Sequence, residues 1–165
     1  MKNKIALPIL ITGSSGFIGS NLLRHLIKKN IVCNIIIRKK SNTWRIKDLL
    51  KNKYVKVHYC DLGNKKNIYK IIDNIKPKTI FHLATYGAYS FQSDEELARK
   101  NIVDNSINLF KACNKNSFKI FINTGTNSEY GFKTKKMSEK DILEPNSFYA
   151  VFKSTVTQYF RYISI

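Results

Sequence analysis

A glycine-rich stretch between two apolar segments restricts the possible fold of this chain more than any other part of it. The eight residues at 12–19 read TGSSGFIG, after an apolar run at 9–11 and before apolar residues at helical spacing over 21–27. A buried strand, a tight turn and a helix are therefore expected in that order. Together they form the βα unit that binds the pyrophosphate of a dinucleotide in many proteins.

Each glycine of this stretch has a physical role in such a unit. Gly13 permits the sharp turn, Gly16 has no side chain to keep the backbone from a phosphate, and Gly19 lets the helix pack against the strand. The N–H groups of the first helical turn then bind the anion, which the helix dipole also favours. The expected contacts with the nucleotide are Gly13, Ser15, Gly16, Phe17, Ile18 and Gly19. A glycine-rich turn that binds nothing is the alternative.

The charge balance is strongly basic, but its distribution argues against a nucleic-acid partner. Lys and Arg number 29 among the 165 residues against 11 acidic residues, which gives a formal net charge of +18. The lysines are scattered among Asn and Ile residues and form no separate basic block, so most of the charge is expected on solvated surface. A basic nucleic-acid-binding protein is a further alternative, which the salt dependence of binding would distinguish.

Cysteine usage and hydropathy indicate a cytoplasmic protein. Cys33, Cys60 and Cys113 are odd in number, far apart and without the spacing of metal ligands, so we expect buried thiols in a reducing compartment. The start of the chain resembles a signal peptide, but its apolar run leads directly into the glycine turn without a cleavage pattern. No apolar run is long enough to cross a membrane, so no membrane is expected as a partner. No metal is expected either, because the cysteines lack the spacing of metal ligands.

Apolar runs and helical periods alternate along the chain, which predicts an α/β fold. A hydrophobic content of 43% over 165 residues is enough for one domain with a real core, spanning 1–165. The predicted strands are 9–11, 31–37, 55–59, 79–84 and 118–123. The predicted helices run from 19 to about 30, 41–51, 64–75, from 94 to about 114, and from about 147 onward. Such alternation with right-handed crossovers builds a doubly wound parallel sheet, the Rossmann fold.

Tyr149 and Lys153 lie four residues apart at the start of the last predicted helix and therefore share one helix face. A free tyrosine titrates near pH ~10, so its phenolate is scarce at neutral pH, and a nearby ammonium group favours the phenolate. Lys153, together with a positively charged nicotinamide, is therefore expected to lower the pKa of Tyr149. Taken alone the pair is a weak signal, because Tyr and Lys at this spacing are usually neighbours on a surface.

Taken together, these motifs resemble those of the extended short-chain dehydrogenase/reductase family. TGSSGFIG fits the family's TGxxGxxG motif, and Tyr149-x-x-x-Lys153 fits its catalytic pair. The other matching motifs, in the family's order, are Asp61-Leu62, His82-Leu83-Ala84, Asn101 in the long helix, and the segment 124–131. The resemblance covers essentially the whole chain and points to the NAD-dependent epimerase/dehydratase group, which acts on nucleotide sugars.

The resemblance implies a function and a role for each of these residues. A nucleotide-sugar epimerase or 4-ketoreductase transfers a hydride at a sugar carbon with NAD(P), while one acid/base group handles the proton. Tyr149 would be that group, Thr126 would hydrogen-bond the same sugar oxygen, and Lys153 would hold the nicotinamide ribose. The other implied roles are support of Lys153 by Asn101, and cofactor contacts by Asp61, Leu62, Leu83, Ala84, Tyr149 and Lys153.

Two departures from the family's patterns refine this hypothesis. Family dehydratases carry Asp-Glu directly after the catalytic Thr, where this chain has Asn127-Ser128, so a 4,6-dehydratase is disfavoured. An acidic residue that binds the ribose 2′-hydroxyl is expected about 20 residues after the glycine turn, but Arg38-Lys39-Lys40 stands there. A cation suits a 2′-phosphate, which favours NADP. NAD stays open, because an arginine can also stack on adenine.

The chain is short for the family that it resembles. Family members continue well beyond position 165 with further strands and a C-terminal substrate-binding lobe, which this sequence lacks. We therefore expect a fragment: the cofactor half of an enzyme that acts on a nucleoside-diphosphate sugar, with a homodimer as a further expectation. The fifth strand would then form an uncovered sheet edge. A non-catalytic dinucleotide-binding module is the alternative, although it has no need of Thr126, Tyr149 and Lys153 together.

Overall fold

The computed structural model describes residues 5–89 and 91–164, which form two compact units. The first unit runs to Ala84 and includes Asn108–Asn123, and the second comprises Thr85–Ile107 and the residues from Thr124 onward. The first unit holds the β-sheet, and the second is built from helices and loops. A single domain over 1–165 stays a prediction.

The first unit is organised around a five-stranded parallel sheet. Its strands are β1 Ile9–Thr12, β2 Cys33–Ile37, β3 Val55–Tyr59, β4 Thr79–His82 and β5 Ile120–Asn123. They lie in the order β3-β2-β1-β4-β5, and every neighbouring pair is parallel. The chain thus steps from the centre to one edge and then to the other, which is the doubly wound arrangement. The predicted α/β class is confirmed.

In the described part of the chain, five α-helices accompany the strands: α1 Phe17–Lys28, α2 Lys65–Ile75, α3 Glu95–Arg99, α4 Asn105–Asn114 and α5 Phe148–Ile163. The side chain of Asp94 caps α3 by accepting the Leu97 N–H at 2.8 Å. A π turn, Lys100–Asp104, separates α3 from α4, so the predicted long helix is confirmed in extent but is interrupted. Within the described residues, no helix is both long and apolar enough to span a bilayer.

Alternate residues of the central strand pack on opposite faces of the sheet and contribute to two cores. On one face Ile9 and Ile11 pack with Leu23 of α1. On the other face Leu10 packs with Ile72 of α2. All five side chains are fully buried. A strand covered on both faces needs apolar residues at every position, which explains the uninterrupted apolar run in the sequence.

The predicted helix over 41–51 is wrong. The structure has one short 3₁₀ turn there, Trp44–Ile46, within a series of tight turns in which Ile46, Leu49 and Asn52 each donate to the carbonyl three residues earlier. A short polar side chain starts the series, because Asn42 accepts the Trp44 N–H at 3.2 Å and so competes with helix formation. The turns place Ile46 and Leu49 in the core, so apolar spacing alone suggested a helix.

Smaller differences concern strand ends and cysteines. The second and fifth strands begin two residues later than predicted, at Cys33 and Ile120, and the fourth ends at His82 rather than at 84. The three cysteines are buried and free, as predicted. Burial raises the pKa of the Cys33 thiol to about 11 and that of Cys113 to about 12, which makes both poor nucleophiles.

β5 forms one edge of the sheet, and two of its side chains are exposed. Ile120 and Ile122 are 43% and 42% exposed, whereas Phe121 between them packs against the core that contains Leu10. An edge strand presents unpaired backbone groups, and apolar side chains beside them promote pairing with another chain. The described residues therefore leave an apolar edge for self-association.

We expect Ile122→Lys to reduce self-association of the chain, since a charged side chain on an edge strand opposes edge-to-edge pairing. Light scattering and size-exclusion chromatography at increasing protein concentration measure the effect. Val32→Lys is the matched control, because it adds the same charge at an exposed apolar residue outside the strands. Equal self-association of the two variants would show that β5 is not the contact.

Candidate nucleotide-binding and acid-base residues

The glycine turn of the first unit lies against the chain that leaves β4. Gly13 has φ +67°, and a Cβ built on it would lie 2.5 Å from the backbone carbon of Leu83 and 2.6 Å from the nitrogen of Ala84. L-residues with a side chain rarely adopt this φ. A Cβ on Gly19 would collide with the carbonyl group of Gly13. Both positions therefore require glycine for the turn and for the packing of α1.

The first turn of α1 offers backbone N–H groups to an anion. Gly16 starts the helix in an extended conformation, and no side chain of the described residues caps it. The closest described atom to a Cβ on Gly16 would be the Gly13 oxygen at 3.2 Å, which leaves the approach open. The first turn contains no acidic residue that would compete for its N–H groups. These N–H groups at the start of α1 form a cradle that fits a phosphate group. Beside the cradle, Ser15 is partly exposed and Phe17 and Ile18 are exposed.

Ser14 carries an unsatisfied hydroxyl group inside this turn. Its side chain is fully buried, and its Oγ has no hydrogen-bond partner in the described part of the chain. A buried polar group without a partner costs about 1–3 kcal/mol and is rare in folded proteins. The turn therefore keeps a polar group that the described residues do not satisfy, a feature that the sequence pattern gives no means to find.

A buried pair of side chains joins the ends of β1 and β4. The Oγ1 of Thr12 lies 2.7 Å from Nδ1 of His82, and the Ala84 N–H donates to the same oxygen at 3.4 Å. Both side chains are almost completely buried. The pair fixes the chain that passes over Gly13, so His82 has a structural role, and Thr12 is a supporting residue that the sequence analysis missed. Leu83 and Ala84 are consequently held beside the glycine turn.

The remaining predicted cofactor residues follow β2 and β3 at the carboxyl edge of the sheet. Arg38 comes directly after β2 and is exposed, and its backbone N–H donates to Oγ of Ser41 at 3.2 Å. Asp61 follows β3 closely and is exposed, with Oδ1 accepting the Gly63 N–H at 2.8 Å. Leu62 is partly buried and packs against the core around Leu10. In open parallel sheets, ligands bind at this edge.

Tyr149 lies in the first turn of α5 in the second unit. The Ser147 side chain caps this helix by accepting the Ala150 N–H at 3.2 Å. Burial raises the pKa of the Tyr149 phenol, hydrogen bonds with Thr85 and Thr126 lower it, and the Glu129 charge raises it. Among the described residues burial dominates and the net direction is upward, so a lowering of this pKa by Lys153 together with a nicotinamide stays a prediction.

Lys153 lies on α5, one helical turn after Tyr149, and is almost completely buried. Its side chain is 4% exposed, and its ammonium group donates to the carbonyl oxygen of Thr124. Burial lowers the pKa of Lys153, and the negative charge of Glu129 opposes this shift. The ammonium group is therefore held at a fixed place by a backbone acceptor, and its charge is partly compensated by Glu129.

Glu129 is a functional candidate that the sequence analysis missed. It lies in the 3₁₀ turn Asn127–Tyr130, is almost completely buried, and accepts the Thr126 N–H at 3.0 Å. The Thr126 side chain accepts the Ser128 N–H at 3.2 Å, and with the backbone and side chain of Glu129 it forms a capping box. The sequence signal was present, since Thr-x-x-Glu is the pattern of this motif. Glu129 thus orients Thr126 and places a negative charge near Tyr149 and Lys153.

Asn101 lies in the π turn between α3 and α4. Its Nδ2 donates to the carbonyl oxygen of Leu97 at 2.8 Å, a contact within its own helical run. π turns are often found at functional sites, but support of Lys153 by Asn101 stays a prediction.

Across residues 5–89 and 91–164, no group of three or more His, Cys, Asp or Glu side chains could hold a metal ion.

We expect Gly16→Ala to weaken NAD binding by at least about tenfold, or ~1.4 kcal/mol, while the melting temperature changes little. The new methyl group would lie 3.2 Å from the Gly13 carbonyl oxygen, a tight contact that a shift of a few tenths of an ångström relieves, and it occupies the approach of a phosphate. Gly13→Ala is the comparison, because its methyl group would collide with backbone and lower both affinity and stability. Calorimetric titration and thermal melting measure the two effects. Unchanged NAD affinity in Gly16→Ala would contradict the assignment of the cradle.

The model of the NAD dependent epimerase/dehydratase family matches residues 9–164. Vestitone reductase from Medicago sativa is 29% identical over 146 residues, which cover 85% of this chain and 43% of that protein. A GDP-mannose 4,6 dehydratase from Drosophila melanogaster is 31% identical over 160 residues, covering 90% and 39%. The crystal structure of a UDP-glucuronic acid 4-epimerase from Bacillus cereus in complex with NAD has a TM-score of 0.80 at 28% identity, covering 93% of this chain and 51% of that one.

The matched segment includes every candidate residue described above, from Gly13 to Lys153. The chain spans less than half the length of both curated relatives and about half of the solved structure. The resemblance seen in the sequence motifs is confirmed by this match over nearly all of the chain. The chain belongs to the NAD-dependent epimerase/dehydratase family.

Proposed function

We propose that this chain supplies the nucleotide-binding and acid–base residues of a nucleotide-sugar 4-epimerase or 4-ketoreductase. The observation that carries the proposal is the placement of Tyr149: it lies partly buried in the first turn of α5, and buried Lys153 follows one helical turn later. The Thr85 and Thr126 hydroxyl groups act to lower the pKa of its phenol. A tyrosine with hydroxyl partners suits a reaction that interconverts a sugar carbonyl and a sugar hydroxyl. The family match supports the same class of chemistry.

Tyr149 would be the acid and the base of this reaction. Its raised pKa keeps the phenol protonated at neutral pH, so it can donate its proton to a keto oxygen of the sugar. Thr126 would hydrogen-bond the same sugar oxygen. In the opposite direction the phenolate takes the proton from the sugar hydroxyl group. The proton therefore moves between the phenol oxygen of Tyr149 and one oxygen of the substrate.

The first unit would hold the nucleotide. NAD or NADP supplies the hydride acceptor and donor in this chemistry. The N–H groups at the start of α1 would bind the pyrophosphate, since the glycine turn leaves them accessible and uncapped within the described chain. Further contacts would come from Asp61, Leu62, Leu83 and Ala84. In the second unit, Lys153 would hold the nicotinamide ribose.

A 4,6-dehydratase is a weaker proposal, although several of the similar proteins carry that name. Elimination of water needs a further group that can take or give a proton, and Asn127 and Ser128 have no titratable side chain. Thr126 donates to Oγ of Ser128 at 3.2 Å, so Ser128 is part of the local hydrogen-bond network. The nearby carboxylate of Glu129 is buried in the capping box. The residues around Thr126 therefore favour hydride transfer without dehydration.

We expect Tyr149→Phe to abolish turnover of nucleoside-diphosphate sugars and to leave NAD binding intact, because it removes the proton donor alone. Turnover is measured on the longest natural polypeptide that contains these residues, with UDP-, GDP- and dTDP-sugars, and NAD affinity by calorimetric titration. Tyr162→Phe is the matched control, on the same helix and 76% exposed. Undiminished turnover by Tyr149→Phe would refute the catalytic assignment.

We expect Arg38 to make NADPH bind more tightly than NADH, since a charge-assisted hydrogen bond to the 2′-phosphate is worth about 1.5–3 kcal/mol, or roughly tenfold to a hundredfold in affinity. Arg38→Asp should reverse the preference, whereas Lys39→Asp, which changes the charge equally at the next position, should not. Fluorescence titration of the three proteins with NADH and with NADPH, six pairs in all, measures it. Equal affinities in the unmutated protein would favour NAD, as in the name of the family.

A further inference from the structure

The segment 124–126, which follows β5 in the second unit, is held from two sides by groups of opposite charge. At one end, the ammonium group of Lys153 on α5 donates to the carbonyl oxygen of Thr124. At the other end, the backbone N–H of Thr126 donates to Oε1 of Glu129 at 3.0 Å. The donors are an ammonium group and a backbone N–H, which cannot accept, so the direction of both hydrogen bonds is fixed.

The carboxylate of Glu129 lies closely against this segment. A Cβ on Gly125 would be only 3.2 Å from Oε1 of Glu129, so one of the two would have to move by a few tenths of an ångström. Glu129 is 4% exposed, and its backbone carbonyl accepts the Glu144 N–H at 3.0 Å, so its main chain is held as well as its side chain. Glycine at position 125 thus leaves the space that the carboxylate needs to reach the Thr126 N–H.

A buried carboxylate is more than an ordinary cap requires. Removing a charge from water is costly, and a neutral oxygen could accept a backbone N–H equally well. The charge has a second effect, however: burial lowers the pKa of Lys153, and the Glu129 charge opposes this shift, which favours the ammonium form that binds Thr124. Glu129 therefore supports the segment 124–126 at both ends, directly at Thr126 and through the ammonium group at Thr124.

We propose that Glu129 is a positioning residue that fixes the backbone at Thr126 by accepting its N–H, so that the Thr126 hydroxyl group is in place before a substrate binds. The inference rests on the proposed function in so far as Thr126 binds the sugar oxygen. A hydrogen-bonding group that is already in position needs no reorganisation during the reaction. The reach of the Glu129 side chain, rather than its charge, performs this role at Thr126.

Two conservative variants separate reach from charge. Glu129→Gln keeps the length and an acceptor oxygen but loses the charge, whereas Glu129→Asp keeps the charge and is one methylene group shorter. Hydrogen exchange of the Thr126 amide, followed by ¹⁵N NMR on the full chain without nucleotide, reports on the bond directly. We expect Glu129→Asp to accelerate this exchange roughly tenfold to a hundredfold, the factor that a hydrogen bond to a charged group represents. Glu129→Gln should accelerate it clearly less, because its amide oxygen still accepts the N–H.

Glu139→Gln and Glu139→Asp are the matched controls, because Glu139 is exposed and the same changes there should leave the exchange of Thr126 unaltered. Circular dichroism monitors folding. If Glu129→Asp unfolds, Gly125→Ala replaces it, since its methyl group competes with the carboxylate for space and should accelerate the same exchange. Unchanged exchange in the variant that folds, or equal acceleration in Glu129→Gln, would overturn the inference.

Turnover distinguishes a positioning role from a merely structural one. On the longest natural polypeptide that contains these residues, Glu129→Asp should lower kcat for nucleoside-diphosphate sugars by roughly tenfold or more, with KM and NAD affinity little changed. Glu129→Gln should retain most of kcat, and equal losses of kcat in the two variants would contradict the role of reach. Absence of turnover in the unmutated protein would refute the proposed function alone, because the amide exchange of Thr126 does not depend on it.

Discussion

The close approach of Gly13 to the backbone at Leu83 and Ala84 is the contact on which the architecture of the first unit depends. β1 and β4 pair in parallel up to Thr12 and His82, and the Leu83 N–H still donates to the Thr12 carbonyl at 3.3 Å. The glycine turn leaves β1 at this point, and no side chain fits between the two segments. The direction of α1, and with it the accessibility of its first N–H groups, therefore follows from one missing Cβ.

The sequence predicted those parts of the fold in which one residue pattern has one physical solution. A doubly covered strand needs a continuous apolar run, and TGSSGFIG allows few conformations other than a turn into a helix. The prediction over 41–51 was wrong because Asn42 and a series of three-residue turns produce the same apolar spacing as a helix. Periodicity reports which residues are buried, and local hydrogen bonds decide how the backbone buries them.

The candidate site was predictable to the extent that its residues belong to short motifs. Tyr149 and Lys153 share a helix. Thr126 and Glu129 form a capping box, and its Thr-x-x-Glu pattern is present in the sequence. Thr85 and Ser14 could not be found in this way. The effect of Thr85 on the pKa of Tyr149 arises between residues far apart in the chain, and the isolation of the Ser14 hydroxyl depends on packing around it.

Burial shifts the two titratable groups of α5 toward their neutral forms, since it raises the pKa of Tyr149 and lowers that of Lys153. A phenolate formed alone in this environment is costly, and the buried charge of Glu129 makes it costlier. A further cation would help the phenolate but would itself have to be desolvated. Neutral hydroxyl donors avoid that cost, because they stabilise a developing negative charge without adding a charge of their own. The hydroxyl groups around Tyr149 are therefore suited to a group that must ionise and recover its proton in every cycle.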